Sequence, residues 1–138
     1  MSAPSLTAVR DALAATFGSV DGLRAYTHFP EKVNAPAAIV TGPSADYDVD
    51  TMTDEYTIPV LILCAESDDR TAQLRLDGFL DAHGPTSVRA AIQADDSLGG
   101  VVHYAHCTHM RDYGIHELNA IRYIGAIIDV ELVVDNTA

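Results

Sequence analysis

The residues best suited to chemistry in this 138-residue sequence are histidines and a cysteine near its C-terminal end. Four of the six histidines and one of the two cysteines fall in the stretch VHYAHCTHMRDYGIH, residues 102–116. Imidazole and thiolate are ligands that zinc prefers, and a cysteine beside a histidine is also the pairing of a nucleophile with its base. What this stretch can do depends on which of these side chains reach a common point.

The spacing of these residues limits the metal site that one strand could build. In an extended strand alternate residues share a face, so we expect His103, Cys107 and His109 on one face and His106 on the other. Cys107 and His109 would have Cα atoms about 6–7 Å apart and could share an ion, whereas His103 would lie about 13 Å from Cys107. Zinc takes three or four protein ligands, so His116 or an acid from a neighbouring strand would have to complete the site. We predict no bound metal and no cofactor.

Neither the histidine-rich stretch nor the remaining sequence shows the motif of a known class of enzyme active site. Cys107 and His109 lack a third residue to orient the histidine, as a cysteine nucleophile requires. Cys64 lies in the apolar run TIPVLILCA and is predicted to be a core residue. The glycine-containing SLGGV has neither the spacing nor the lysine of a phosphate-binding loop. We therefore predict no catalytic residues and no enzymatic activity.

Composition and charge narrow the class of protein. Apolar residues make up 48% and charged residues 20% of the chain, which is typical of a single globular domain spanning residues 1–138. Twenty acidic residues against eight basic ones give a net charge of −12, which argues against nucleic-acid binding through a basic face. The start of the sequence lacks the pattern of a signal peptide, and no apolar run approaches the roughly 20 residues of a membrane span.

The predicted elements follow the order helix, strands, helices, strands. In SLTAVRDALAATFG apolar residues recur at spacings of three and four, which predicts an opening amphipathic helix. A second helix is predicted in SDDRTAQLRLDGFLDAHGP and a shorter third one in TSVRAAIQAD. This order favours a two-layer α+β fold in which helices pack on one face of a mainly antiparallel or mixed sheet.

A long β-hairpin is predicted near the middle of the chain, with arms near residues 45–52 and 54–65. The second arm, in TDEYTIPVLILCAE, is the strongest strand signal in the sequence. The first arm alternates Asp46, Asp48 and Asp50 with Tyr47 and Val49, which indicates a strand with one acidic face. The same aspartates lack the glycine and the distal glutamate of a calcium loop.

The closing segment predicts two long strands, and the last one, YIGAIIDVELVV, is apolar on both faces. One face can pack on the helices and the other on a neighbouring subunit. Ile124 and Ile128 share a face and are predicted to lie at such an interface. The neighbouring histidine strand would bring His103, His106 and His109 to the same interface, where protonation near neutral pH could modulate the contact.

Several segments, taken in order, carry a resemblance that covers nearly the full length. They are LTAVRDALAATFGSVDGLRAY, FPEKVNAPAAIV, YDVDTMTDEYTIPVLILCAESDDRTAQLRLDGFL, SVRAAIQADDSLGGVVHYAHC and YGIHELNAIRYIGAIIDVELVV. In their order and spacing, rather than in one motif, the sequence resembles the tail terminator proteins of long-tailed, siphovirus-like bacteriophages, especially those of actinobacterial hosts.

The resemblance implies an α+β protein that forms a ring, commonly a hexamer, at the head-proximal end of the tail tube. Such a ring stops polymerisation of the tube and joins the tail to the head connector. The implied partners are copies of this chain, the tail tube protein and the head–tail connector protein, while DNA passes through the lumen without specific binding. The implied location is the virion tail, after assembly in the host cytoplasm, with no membrane, no cofactor and no catalysis.

The acidic hairpin suits the lining of such a ring, because negatively charged walls repel DNA. The candidate lumen residues are Asp46, Asp48, Asp50, Asp54 and Glu55. The alternative that these acids belong to a solvated outer loop stays open. Two other functions also stay open: another head–tail joining, completion or minor tail protein of a phage, and a metal-dependent enzyme built on the histidine strand.

Overall fold

The computed structural model describes residues 4–50, 52–65 and 69–135, and it has an α+β fold, as predicted. In chain order its helices and strands are α1 (Leu6–Gly18), β1 (Arg24–Tyr26), β2 (Ala37–Val40), β3 (Ser44–Asp50), β4 (Thr53–Ala65), α2 (Asp69–Leu80), α3 (Val88–Ala94), β5 (Tyr104–Leu118) and β6 (Ile121–Asp135). The predicted hairpin is β3–β4, and the two predicted closing strands, β5 and β6, form a second hairpin.

All six strands belong to one mixed sheet in which β4 and β6 are the central strands. They pair antiparallel along the whole of β4, and β5 pairs antiparallel with the other side of β6. β2 and β3 follow each other along the outer side of β4, and β1 adds parallel to β2. The sheet is mainly antiparallel because short turns join the strands of each hairpin.

The main core lies between the sheet and the three helices, which pack on one face of it. The even-numbered residues of β4 and β6 point into this core, so both strands alternate between buried and less buried positions. Core residues at most 1% exposed include Val9, Leu13, Phe17, Ile58, Val60, Ile62, Leu76, Ile92 and Leu132. Among the helices in the described residues, none is long and apolar enough to cross a membrane.

The opposite face of the sheet, the open face, carries the odd-numbered side chains of β4 and β6. At one end of this face the segment before β2 packs on the sheet in a small apolar cluster without helical residues. The buried members of this cluster are Val33, Ala37, Ile39, Leu63 and Tyr123. The other end is formed by β3, β4, β6 and β5, in that order, and carries polar side chains; we refer to it as the polar half-sheet.

One close approach fixes the centre of the sheet. Gly125 of β6 lies opposite Leu63 of β4. A Cβ atom added at this glycine would overlap the carbonyl oxygen of Ile62 and crowd the Leu63 side chain. Residue 125 must therefore be glycine for β4 and β6 to pair as they do.

Candidate functional site

The histidine strand does not alternate as a regular strand would, because two β-bulges interrupt β5. At the first bulge Thr108 is the extra residue between Cys107 and His109. The prediction that His103, Cys107 and His109 share one face and that His106 lies on the other is therefore wrong. His106 and His109 share the open face, whereas Cys107 packs against the main core. A one-residue bulge has this effect because it shifts the two-residue alternation by one.

The bulge also separates the residues that would have to form a metal site on the histidine strand. Cys107 and His109 point to opposite faces of one strand and cannot reach a common ion. His103 precedes β5, and His116 lies toward the far end of the hairpin. In the described part of the chain no group of three histidine, cysteine or acidic side chains is placed to hold a metal ion.

Neither cysteine is poised to act as a nucleophile. Burial raises the pKa of the Cys107 thiol to about 11, against a smaller opposing effect of Arg89. Burial likewise raises the pKa of Cys64 to about 11, against a smaller opposing effect of Arg75. Because the thiolate is the reactive form of cysteine, both residues are unreactive thiols near neutral pH.

Two ion pairs link β5 and β6 across the open face. The Arg111 guanidinium donates from Nε and Nη2 to the two carboxylate oxygens of Asp129 over 3.1 and 3.3 Å, and from Nη1 to Asp112 over 2.8 Å. The hydrogen bond to Asp129 is the largest of the effects that raise the pKa of Arg111. His106 Nε2 lies 3.5 Å from a carboxylate oxygen of Glu131. These partly exposed contacts hold two strands together, and they include no nucleophile or open ligand position.

The predicted lumen acids do not share one surface. Asp46 of β3 lies opposite Glu55 of β4, and both belong to the open face of the polar half-sheet. Asp54 follows the opposite alternation and belongs to the face that the helices cover. The side chains of Asp48 and Asp50 lie outside the described residues.

Two acids that the sequence analysis did not select join Asp46 and Glu55 on the open face. Asp129 and Glu131 are odd-numbered residues of β6, and the register places Glu131 beside Thr57 of β4. The signal for them was present in the sequence, because they are the acidic residues within the apolar run YIGAIIDVELVV. The acidic surface is therefore built by three strands rather than by one hairpin.

The predicted interface isoleucines lie inside the subunit. Ile124 and Ile128 do share a face, but it is the face that packs on the helices. Ile128 is 4% exposed in the main core, and Ile124 packs against that core. The interface role predicted for them is therefore corrected. The larger exposed apolar side chains lie elsewhere, with Tyr47, Met110 and Ile115 exposed by 71%, 48% and 50%.

The polar half-sheet ends in two strand edges, β3 on one side and β5 on the other. Within the described residues neither edge has a strand partner on its outer side. Pairing is antiparallel throughout the order β3–β4–β6–β5, so β3 and β5 run in opposite directions. Unpaired backbone N–H and C=O groups along such edges form a template for pairing with another chain.

A groove runs beside the β5 edge, between residues 104–107 and the region of α3. Its volume is about 180 Å³, and its helical wall is formed by Arg89 and Gln93 of α3 and by Asp96, which follows the helix. The sequence analysis missed this groove. The available signal was the four-residue spacing of Arg89 and Gln93, which puts them on one side of a helix, apart from the buried Val88 and Ile92.

Comparison with known proteins does not assign a family. The sequence matches no protein-family model, and no curated protein is significantly similar to it. The functional interpretation therefore rests on the open face, on the two strand edges and on the resemblance of the sequence to tail terminators.

Proposed function

We propose that this protein is a structural protein that forms a ring, and that the ring caps the head-proximal end of a phage tail tube. The observation that supports a ring is the polar half-sheet, whose two edge strands, β3 and β5, run in opposite directions. Copies placed head to tail around an axis bring β5 of one subunit beside β3 of the next in the antiparallel arrangement. Such heterologous contacts close into a ring when the rotation between subunits divides a full turn.

The number of strands in the half-sheet supports closure. Each copy contributes four antiparallel strands, β3, β4, β6 and β5. Because this number is even, the alternation of strand direction continues across every subunit boundary, whatever the number of copies. Closing a sheet on itself also removes exposed edges that would otherwise promote aggregation.

The open face suits the bore of the ring. The helices cover the other face and widen each subunit there, so a ring of such sheets curves with its helices outside. Among the described residues of the polar half-sheet, the open face carries the carboxylates of Asp46, Glu55, Asp129 and Glu131 against one arginine, Arg111. A wall of net negative charge repels the phosphates of DNA, so DNA passes without specific binding.

In this proposal the ring belongs to the virion tail and is assembled in the host cytoplasm. One end of the ring matches the last ring of the tail tube protein, and the other end accepts the head–tail connector protein but no further tube subunit. Neither step needs a cofactor or catalysis. Support for the ring comes from the geometry of the sheet, and support for the phage tail comes from the sequence resemblance.

Electron microscopy of the purified, negatively stained protein tests the ring. We expect closed rings of uniform diameter, with a central hole wide enough for a DNA duplex. Separate monomers or two-fold dimers at every concentration would contradict the proposal. Stoichiometric zinc or iron in the same preparation would favour the metal-dependent enzyme instead.

Particles assembled without this protein separate a tail terminator from other components of the head–tail joint. Loss of a terminator is expected to give over-long tails that are not attached to heads, because nothing stops polymerisation of the tube. Loss of a connector or completion protein is expected to leave tails of normal length beside separate heads. Normal tail length in such particles would overturn the terminator assignment.

A further inference from the structure

We infer that the ring closes through one specific seam, and this inference rests on the ring proposed above. In the seam, residues 45 and 46 of β3, the last before the register shift of that strand, pair antiparallel with residues 107 and 106 of β5 in the next subunit. Asp46 then lies opposite His106 on the open face, and Tyr47, the first residue of the shifted segment, lies beside Ala105 at the groove next to α3. The partner at each edge is a second copy of this chain.

The bulges of β5 select the segment that pairs. Regular pairing with β6 covers residues 104–107, 109–111 and 114–118, and a bulge separates each segment from the next. A bulge twists a strand and interrupts its ladder, so the three residues between the two bulges offer a shorter regular edge than the other two segments. Of these segments, 104–107 is the one at the same height in the sheet as β3. Asp46 pairs with Glu55 of β4, Glu55 pairs with Val133 of β6, and Val133 pairs with Tyr104 of β5, so these residues form one row across the sheet.

The faces of the strands and the stagger of a closed sheet together select the register. Asp46, Tyr104 and His106 all belong to the open face, so residues of equal face meet when Asp46 lies opposite Tyr104 or opposite His106. In the register with His106, neighbouring subunits are shifted by two residues from the row that joins Asp46 to Tyr104 within one subunit. Closed sheets require a stagger of this kind between their strands.

Tyr47 is the side chain that the seam would bury. At 71% exposed, it is more exposed than the other large apolar side chains of the described residues. It is a neighbour of Tyr56, whose pKa is raised by burial, then by Asp54 and then by Tyr47. Tyr56 packs against the main core, so Tyr47 lies toward the helix-covered side of the edge. The groove of the next subunit opens on that same side.

The groove provides what a buried tyrosine needs. Ala105, which is 1% exposed, forms part of its floor and leaves space for a ring. Arg89 and Asp96 line the wall and supply a donor and an acceptor for the phenol hydroxyl. A guanidinium also stacks favourably on an aromatic face. An aromatic anchor in such a pocket is typical of the centre of an interface.

Charge favours this head-to-tail contact over a symmetric one. On the open face the β3 edge presents Asp46, whereas the β5 edge presents His106, His109 and Arg111. Pairing of the 104–107 segments of two β5 edges would bring imidazoles together without a carboxylate between them. Pairing of β3 with β5 places a carboxylate opposite an imidazole instead.

Engineered cysteines test the seam. In a Cys107→Ser background, Asp46→Cys with His106→Cys places two thiols at directly opposed positions, within the Cα separation that a disulfide tolerates. Mild oxidation is expected to give a ladder of covalent oligomers on a denaturing, non-reducing gel. Asp46→Cys with Leu74→Cys is the matched control, because Leu74 is 62% exposed on α2, outside the seam. The control is expected to remain monomeric on that gel.

The outcomes distinguish failure of the seam from failure of the ring. Rings seen by microscopy without a covalent ladder would overturn the seam and leave the ring standing. Covalent dimers from His106→Cys alone would indicate a symmetric contact between two β5 edges. A ladder from Asp46→Cys with Tyr104→Cys, and none with His106→Cys, would overturn the register. Monomers alone, by gel and by microscopy, would contradict the proposed ring itself.

Substitution of Tyr47 tests the anchor. Tyr47→Ala is expected to raise the concentration needed for ring formation at least about tenfold, as loss of an interface anchor does. Tyr47→Phe keeps the ring system and is expected to shift this concentration less than Tyr47→Ala. Leu74→Ala removes an exposed side chain outside the seam and is expected to change nothing. Wild-type assembly by Tyr47→Ala would overturn the place of Tyr47 in the seam.

Discussion

β5 and β6 have the same length and pair with each other, yet they differ in regularity. β6 lies between two strands, pairs with β4 without a register shift and buries every second residue over most of its length. Among the described strands β5 has a partner on one side only, and it contains two bulges and is mostly exposed or half-buried. A central strand must satisfy a ladder on both sides, whereas an edge strand can depart from it. Three of the four histidines that suggest chemistry, His106, His109 and His116, lie on this more irregular strand.

Aspartate substitutions of one isoleucine in each strand give the largest contrast between β6 and β5. Ile128→Asp is expected to cost at least about 4 kcal/mol of unfolding free energy, because it buries a charge in the main core. Ile115→Asp is expected to cost less than about 1 kcal/mol, because Ile115 is 50% exposed on β5. Urea unfolding of both variants measures the contrast, and equal losses would contradict the assignment of the two strands to core and edge.

The close approach at Gly125 should give the next largest effect. Gly125→Ala is expected to cost about 3 kcal/mol, because the added Cβ meets the Ile62 carbonyl and the two central strands must separate. Gly42→Ala is the control, since a Cβ at that position meets no atom within 4 Å. Unfolding midpoints of the two variants measure the difference. A Gly125→Ala protein as stable as Gly42→Ala would show that the sheet is not paired as described.

The buried thiols predict a loss of stability in alkali. The pKa of Cys64 and that of Cys107, each about 11, lie above the ordinary thiol value of 9.0. Their contribution to stability is therefore complete below pH 9 and is lost as the pH rises to about 11. Urea midpoints between pH 8 and pH 11 should fall less steeply in the variant Cys64→Ala/Cys107→Ala than in the natural protein. The tyrosines Tyr56 and Tyr113, whose pKa values burial also raises, leave a residual fall in both. Parallel curves would argue against burial of the thiols.

The ion pair between the two strands should have the smallest effect. Arg111→Gln is expected to lower the urea midpoint only slightly, because the pair with Asp129 is partly exposed to solvent. A double-mutant cycle with Asp129→Asn measures the coupling, which should shrink further in about 1 M salt. A strong coupling that does not depend on salt would mean that β5 is held as tightly as β6.

Much of the fold could be predicted from the sequence, because its apolar residues recur at the spacings that are typical of helices and of strands. The stripe of α1 and the alternation in β4 and β6 each bury one face of a regular element, so pattern and structure agree. Which face the helices cover was not determined by the pattern, since β6 is apolar on both sides. Ile124 and Ile128 were therefore placed together correctly but on the wrong surface.

The site was less predictable, because it depends on irregular backbone. Nothing in the residues around Thr108 marks the first bulge. The second bulge does have a signal in the sequence RDYG, because a glycine within a strand often marks a bulge. In the structure Asp112, two residues before Gly114, has a φ of 55°. The groove and the free edges arise from the tertiary arrangement of α3, β3 and β5, which no local pattern encodes.

The central claim is that the polar half-sheets of several copies close into one ring. Native mass spectrometry of the purified protein over a range of concentrations measures this directly. We expect one dominant oligomer at a whole multiple of the 14.7 kDa chain mass, with six copies the number that the resemblance implies. A chain that stays a monomer, or stops at a dimer, at every concentration would contradict the account.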